Sequence, residues 1–416
     1  MVALPARDIA DDDQDQHVAG AEGTATIASR VASICAMLDE HDVAETPMSS
    51  RQVEEISAMI DDIATAAASE SERTTTGDSK RTSNKTPGCM RSTCCYEKLG
   101  KIGEGSAAVV TEARHLTTGQ TVAMKAIHEC CRSVSGGELL REACLMAACL
   151  GHPSIVALHG LARAPDTENE YDYSLVMEHA GPSMDRILRD HMACTGWPFS
   201  EPETRQVMVQ LLSGAAEIHK HSIVHRDIKP ENILVDGAGN VKIGDFGSAM
   251  SVGGGQISAD AYYAAGTTTY SAPEMLLETP GYDARVDAWS LGCVMAELLT
   301  GEALFNEKSD SDQLCLIYDV LGVPGKKAWK PHESSFVASR VPLWRREQQR
   351  RRRKGRWHSR RLRELFPEEL LSEDGFKVLK GLLTCNPDRR LTAAAALKLP
   401  WFADEDNAPV KNYAAM

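Results

Sequence analysis

Aromatic residues make up only 5% of this 416-residue chain, and no Phe, Trp or Tyr precedes Tyr96. That absence excludes an independently folded domain from the first 95 residues, because short helices without large side chains cannot bury a sufficient core. No stretch approaches the length of apolar run that a membrane-crossing helix needs. The opening MVALPARDIADDDQDQ has no apolar segment and turns acidic at once, so a secretory signal is not expected. The 12 cysteines include no C-x2-C pair and no matching His spacing, which argues against zinc. Most of them lie in apolar runs, where a reduced thiol packs as a small core residue, and a reducing compartment is expected. Basic residues are the minority, 45 Lys and Arg against 59 Asp and Glu, for a net charge of −14. That balance argues against wholesale nucleic-acid binding, although it allows a local basic patch.

What the chain does contain is ordinary globular material, 43% apolar and 25% charged, in a length that suggests roughly two to three domain-sized units. Residues 1–70 hold 15 acidic residues and 3 basic ones. Within them Ile27, Val31, Ile34 and Leu38, and then Val53, Ile56, Ile60 and Ile63, recur at helical spacing. Two amphipathic helices are expected, the second with a capping box from Ser49 and Gln52. Such a pair either docks on the rest of the chain, binds a partner or flickers in solution. Ser69 to Pro87 reads as a Ser/Thr-rich linker and a phosphorylation target. From Tyr96 onward β-branched runs such as TVAMKAIH alternate with turn signals such as HLTTGQ, as in an antiparallel hairpin. Beyond about residue 185 the pattern becomes helical, with apolar residues at 207, 211, 212, 215 and 218, so two lobes are expected. Residues 343–363 hold 11 Lys and Arg and one Glu. This strip is a solvated insert, a nuclear import signal or a docking strip for acidic substrates, and folding back onto the acidic N-terminal region is a further reading.

The informative run is HRDIKPEN, His225 to Asn232, with Asp245-Phe246-Gly247 following it. Upstream stand Gly103-Glu104-Gly105 and Val122-Ala123-Met124-Lys125; downstream come Ala272-Pro273-Glu274, DAWSLG from Asp287, and Arg390. Each motif alone is weak, but five in this order with these gaps leave little room for accident. Over residues 96–402 the chain resembles a eukaryotic protein kinase.

Phosphoryl transfer asks a protein to neutralise triphosphate charge and to position a hydroxyl. On this resemblance Lys125 would hold the α- and β-phosphates of ATP, with an acid of the following helix as its partner. Glu142 fits best, and Glu138, one turn earlier, is the alternative. Asn232 and Asp245 offer the hard oxygens that suit Mg2+. Asp227 would accept or orient the proton of the attacking hydroxyl, and Lys229 would reach the γ-phosphate. Ile102, Val110, Ala123 and Leu234 would line the adenine slot, with backbone groups of Glu178 and Ala180 as hinge hydrogen bonds. Gly103 and Gly105 permit close approach to phosphate, but Ala108 replaces the third glycine, so a weaker or slightly displaced nucleotide is expected. By the same resemblance Glu274 should pair with Arg390, Asp287 should anchor the catalytic loop, and Thr267 should touch the catalytic Asp and Lys.

The C-terminal half, from VDAWSLGCVMAELLTGEALF to LTAAAALKLPWF, is similar to the cyclin-dependent kinase branch, and nearest to its plant F-type members. That likeness implies Ser/Thr specificity, ATP and Mg2+, and substrates such as other kinases or the tail of RNA polymerase II. Four departures bear on regulation. SVSGGELLREA stands where a cyclin-reading run would be, so a cyclin partner is not supported by this helix. Ser106-Ala107 replaces the inhibitory Thr-Tyr pair, Tyr262 takes the place of the activating threonine, and Ser271 replaces an arginine that favours proline after the target residue. Of three phosphate-gripping bases Arg141 and Arg226 are present, while the third position is Met250.

The expected architecture is therefore a two-lobed α+β kinase fold. Its small antiparallel lobe with one main helix spans about residues 96–180, and its helical lobe about 181–402 with the basic insert at 343–363. Residues 1–95 form an acidic, partly helical or disordered extension and linker, and 403–416 a tail. The expected function is ATP-dependent phosphorylation of Ser or Thr on protein substrates. The alternatives are a cyclin-independent kinase of mitogen-activated type and a pseudokinase or scaffold. Direct nucleic-acid or membrane binding is not expected, the default is a monomer, and the location is nucleus or cytoplasm.

Overall fold

The computed structural model describes residues 26–44, 50–74, 91–105, 108–128, 137–163, 173–252, 262, 266–324, 344, 346, 350 and 361–403. Its small lobe is built on a six-stranded sheet in the order β1-β5-β6-β4-β3-β2. The strands are β1 (Arg91–Ser92), β2 (Tyr96–Glu104), β3 (Ala108–His115), β4 (Thr121–Ile127), β5 (Leu158–Arg163) and β6 (Tyr173–Glu178). All neighbours are antiparallel except β1, which runs parallel to β5. The sheet thus begins four or five residues before the expected boundary at Tyr96. A two-residue edge pairing rests on backbone hydrogen bonds alone and leaves no alternation in the sequence to read. The β3–β4 turn is closed by the His115 N–H, which donates across it to the Gln120 carbonyl at 2.8 Å.

The sheet has two different faces. Tyr96, Ala113, Val122, Met124, Ala162 and Val176 form a small cluster on one. Ala123, Leu175 and Met177 face the main core on the other, as period-two alternation requires. On that second side lies α3 (Gly137–Ala148).

Two helices precede the sheet, α1 (Ile27–Ala44) and α2 (Ser50–Thr74). Every apolar position of the expected stripes is buried, and both helices dock on α3. Helix α2 runs through Thr74, so the Ser/Thr-rich segment beginning at Ser69 is helical in its first third; Ala66, Ala67 and Ala68 carry the helix into it. Ser49, the remainder of that linker, Ser106-Ala107 and most of the Arg-rich strip lie outside the described residues. Among the described residues the acidic extension pairs with Arg141 and Lys220, while Arg361 and Arg363 of the strip bind carbonyls and Glu373 of their own lobe.

The large lobe is helical: α4 (Met184–Thr195), α5 (Glu201–Lys220), α6 (Pro273–Leu276), α7 (Arg285–Thr300), α8 (Asp310–Leu321), α9 (Arg361–Leu365), α10 (Glu373–Leu382) and α11 (Ala393–Ala396). A capping box between Ser200 and Glu203 starts α5, and its Val207, Leu211, Leu212, Ala215 and Ile218 are all buried. Helix α7 is apolar nearly all round and accordingly runs through the core. Short antiparallel ladders, β7 (Ile223–Val224) with β10 (Met250–Ser251) and β8 (Ile233–Val235) with β9 (Val241–Ile243), flank the run from His225 to Asn232 and the turn at Asp245. Among the described residues no helix is long and apolar enough to cross a membrane.

Candidate active site

Strand β4 delivers Lys125 and helix α3 delivers Glu142, and the two meet under the sheet. Lys125 Nζ lies 2.9 Å from Glu142 Oε1 and 2.8 Å from Oε2, and 2.6 Å from Asp245 Oδ1. Burial works against the Lys125 charge, but the carboxylates of Glu142 and Asp245 more than offset it and hold the ammonium protonated well above its ordinary range. The same ammonium, overcoming burial, keeps Asp245 below the ordinary carboxylate value. Glu142 rather than Glu138 fills the partner role. Glu138 is on the exposed side of α3, one turn earlier but about 40° around the axis from the buried Glu142. Asp245 takes a left-handed conformation, φ 58°. The next residue, Phe246, is buried edge-on against His225, 5.0 Å between ring centres, which anchors the turn that aims Asp245.

The loop from His225 to Asn232 is tied from below by Asp287 of α7. Its carboxylate accepts from the backbone N–H of His225 and of Arg226, each at 2.8 Å, and lies 2.9 Å from His219 Nε2. Burial alone would raise the Asp287 pKa, but these partners, His219 first, outweigh it and lower it. Arg226 has φ 68°, and Gly266, φ 86°, sits so close that a Cβ there would lie 2.4 Å from the Arg226 carbonyl oxygen. Only glycine fits that crossing.

At the top of the loop Asp227 is held from three directions. Thr267 Oγ1 donates to its Oδ1 at 2.8 Å, and Asn232 Nδ2 donates to its Oδ2 at 3.0 Å. Lys229 Nζ lies 2.8 Å from the same Oδ2 and also donates to Thr267 at 2.7 Å. The second amide hydrogen of Asn232 goes to the Asp227 carbonyl at 2.9 Å, so its side-chain oxygen faces away from these bonds. On Asp245 both Lys125 and the Gly247 N–H use Oδ1. The donor set left for a cation is thus two hard oxygens on Asn232 and Asp245. That set fits Mg2+, which takes one or two protein groups and completes its shell with water and phosphate.

The slot residues converge more loosely. Ala123 shares a face of β4 with Lys125, and Val110 pairs across the strands with both Lys125 and Gly103. Ala123 and Ala180 are buried, Val110 and Leu234 half-buried, and Ile102 is 48% exposed. The Glu178 N–H is committed to the Ala157 carbonyl at 2.9 Å, and its carboxylate binds Lys242 at 3.1 Å. Neither Gly103 nor Gly105 has a positive φ, and a Cβ at either would meet the protein no closer than 3.6 Å. The protein's own packing therefore does not require glycine at these two positions. The missing side chains leave the backbone open to close approach by a ligand.

Below the site Glu274 and Arg390 form a fully buried two-pronged pair at 2.6 and 2.8 Å. The three positions compared with a phosphate grip are otherwise engaged. Arg226 Nε donates to the Ser248 carbonyl at 2.6 Å and Nη1 lies 3.4 Å from the Tyr282 hydroxyl, while Tyr262 stacks edge-on with Tyr282. Met250 is buried, and Arg141 donates to Asp39 of α1 at 2.7 Å. Asp39 was not legible as a site residue: its only sequence signal is an acidic residue beside an apolar stripe.

The family model for the protein kinase domain matches residues 96–402, and the chain belongs to the protein kinase family. It is 44% identical over 324 residues to "Putative cyclin-dependent kinase F-2" of Oryza sativa subsp. japonica, covering 76% of this chain and 91% of that protein. It is 37% identical over 336 residues to "Cyclin-dependent kinase G1" of Arabidopsis thaliana, covering 76% and 51%. With "Cyclin-dependent kinase G-2" of Oryza sativa subsp. indica the identity is 35% over 329 residues, 77% of this chain and 43% of that one. The chain thus spans nearly the whole of the first relative and about half of the other two. Within the family it is a Ser/Thr protein kinase of the cyclin-dependent kinase-like branch.

Proposed function

We propose that this kinase transfers the γ-phosphate of ATP to Ser or Thr hydroxyls of proteins, using Asp227, Lys229, Lys125 and Glu142. The observation that carries the reading is the three-way hold on Asp227 by Thr267, Asn232 and Lys229. It fixes a carboxylate where an incoming hydroxyl can be oriented and its proton taken up. Lys229, bonded to Asp227 and Thr267, is a cation within reach of phosphate oxygens as their charge redistributes. Lys125, kept charged and aimed by Glu142, orients the α- and β-phosphates, and Gly103 and Gly105 let backbone approach them. Ile102, Val110, Ala123 and Leu234 hold the adenine, with backbone groups of Glu178 and Ala180 at its edge. Asn232 and Asp245 would hold Mg2+, which when bound would neutralise phosphate charge.

Substrates of this branch's kind, other kinases or the RNA polymerase II tail, are the first to try. Ser271 is buried and donates to the Thr267 carbonyl at 3.1 Å, so no guanidinium stands at that position to favour proline after the target residue. The Arg-rich strip supports a nuclear location or a grip on acidic substrates. A scaffold without turnover is disfavoured by the intact Lys125, Asp227 and Asp245. The test is radiolabelled ATP turnover on a mixed peptide library, wild type beside Asp227→Asn. Labelling by wild type that vanishes in the variant supports catalysis, and the labelled peptides reveal any need for proline. ATP binding without labelling, with or without added cyclin, sinks the proposal.

A further inference from the structure

Ten of the twelve residues of α3 are buried, the exceptions being Glu138 and Arg141. A helix laid on one face of a sheet ordinarily keeps a solvated stripe on its far side. On α3 that side is covered by α1 and α2, whose Ile34, Leu38 and Ile60 share one core with Leu140 and Cys144. Cys35 and Cys144 are buried in the same seam. Arg141, next in sequence to Glu142, donates to Asp39 Oδ1 at 2.7 Å.

The pair of helices also reaches beyond α3. Ser71 Oγ donates to the Gly151 carbonyl at 3.3 Å, in the turn after α3, and Glu70 lies 3.8 Å from Lys220 of α5. Helix α1 touches β10, in the segment that follows Asp245. One covalent segment therefore contacts the helix that carries Glu142, the turn behind it, the large lobe and the strand beyond the Mg2+-binding turn.

We infer that α1 and α2 are an activator carried in the same chain. They fix α3 so that Glu142 reaches Lys125, and Asp39 and Arg141 are positioning residues for that ion pair. The inference rests on the kinase reading above and goes further. No second protein is needed on the outer face of α3, because that face is covered. No phosphate is needed at Arg141, because a carboxylate already holds it.

The experiment uses the full chain and measures peptide phosphorylation beside amide hydrogen exchange of residues 137–148. Asp39 is 68% exposed, so reversing its charge leaves the core intact, whereas Arg141 is 22% exposed and its reversal is read against the double variant. A partly exposed pair contributes little by itself, but reversal turns attraction into repulsion. Asp39→Arg and Arg141→Asp should each lower kcat about three- to tenfold and speed exchange in α3. The double reversal should restore both to within about twofold. Recovery of kcat by paired reversal is a readout that a merely supporting surface contact would not give.

Full activity of Asp39→Arg would overturn the inference. So would a double variant no better than Arg141→Asp, which is what an Arg141 reserved for a phosphate would produce. Ile34→Asp with Ile60→Asp places charge in the seam and should lower turnover by at least about tenfold; retained turnover is a second way to overturn it. If wild type labels no peptide at all, the kinase reading fails, and the exchange series still decides whether the helices fix α3.

Discussion

Thr267 stands between Asp227 and Lys229, donating to the first at 2.8 Å and accepting from the second at 2.7 Å. The hydroxyl is not itself reactive in this arrangement. It sets the angle of a carboxylate and the position of a cation that, in the proposed mechanism, act on the same substrate hydroxyl and phosphate. Thr267→Ala should therefore lower kcat by roughly ten- to a hundredfold, the range that a misplaced catalytic group costs, while KM for ATP stays near wild type. Thr267→Ser keeps the oxygen and should keep most of the rate. A steady-state comparison of the three proteins decides it, and an alanine variant with undiminished kcat would remove Thr267 from the mechanism.

Glu142 offers a sharper contrast with its neighbour. Both Glu142 oxygens lie within 2.9 Å of Lys125, whereas Glu138 faces the exterior. Glu142→Gln removes the charge that aims the ammonium, leaving Lys125 drawn to Asp245 alone, 2.6 Å away. The expected result is a higher KM for ATP together with a kcat lowered by about a hundredfold. Glu138→Gln should change neither by more than about twofold, since exposed charges contribute little. Equal losses in both variants would mean that the helix, and not the carboxylate, is what matters.

Glu274 lies 29 residues in sequence beyond Asp245 and Arg390 lies 145 beyond it, yet the pair they form is wholly buried. Arg390 also donates to the carbonyls of Thr384 and Arg285 at 2.9 and 2.8 Å and lies 5.2 Å over the Trp289 ring. Removing one partner leaves the other charge unpaired in the core, at a cost of about 3–5 kcal/mol. Glu274→Ala should accordingly unfold at markedly lower urea concentration than wild type. A midpoint within error of wild type would show that the core relaxes around the orphaned guanidinium.

The candidate site was legible in the sequence because its motifs are local. His225 to Asn232 and Asp245 to Gly247 are short runs whose residue types and order leave few alternative jobs. Even the distant Asp287 and Arg390 could be matched to their partners through the resemblance. The helical faces of α1 and α2 were legible too: Ile27, Val31, Ile34, Leu38, Val53, Ile56, Ile60 and Ile63 are all buried. What those faces bury against was not. Apolar periodicity says that a stripe will be covered but carries no address. The Asp39–Arg141 contact spans 102 residues and joins two side chains that look like ordinary surface charges. Arg141 read as a base awaiting phosphate, because nothing near it in sequence announces a competing carboxylate. The edge strand β1 escaped for a related reason, since backbone pairing leaves no side-chain pattern.

Helix α2 carries one acidic group whose surroundings displace its pKa upward. The Asp61 carboxyl is pushed up to about 6 from an ordinary 3.8, first by burial and then by the charge of Asp62. Between those two values the folded chain holds a proton that the unfolded chain has released. Stability therefore falls as pH rises from about 4 to about 6, and above 6 both states are ionised and the penalty is constant. Asp61→Asn keeps the shape and removes the charge. It should melt above wild type at pH 7, with the two melting curves converging as pH is lowered toward 4. The gain will be smaller than a fully buried carboxylate would give, because water still reaches part of Asp61 and screens it. Since α2 is part of the layer over α3, the same substitution should slow hydrogen exchange of residues 137–148 at pH 7 and leave it unchanged near pH 4. An asparagine variant that melts no higher at pH 7 would show that Asp61 is better solvated than its place on the docked helix implies.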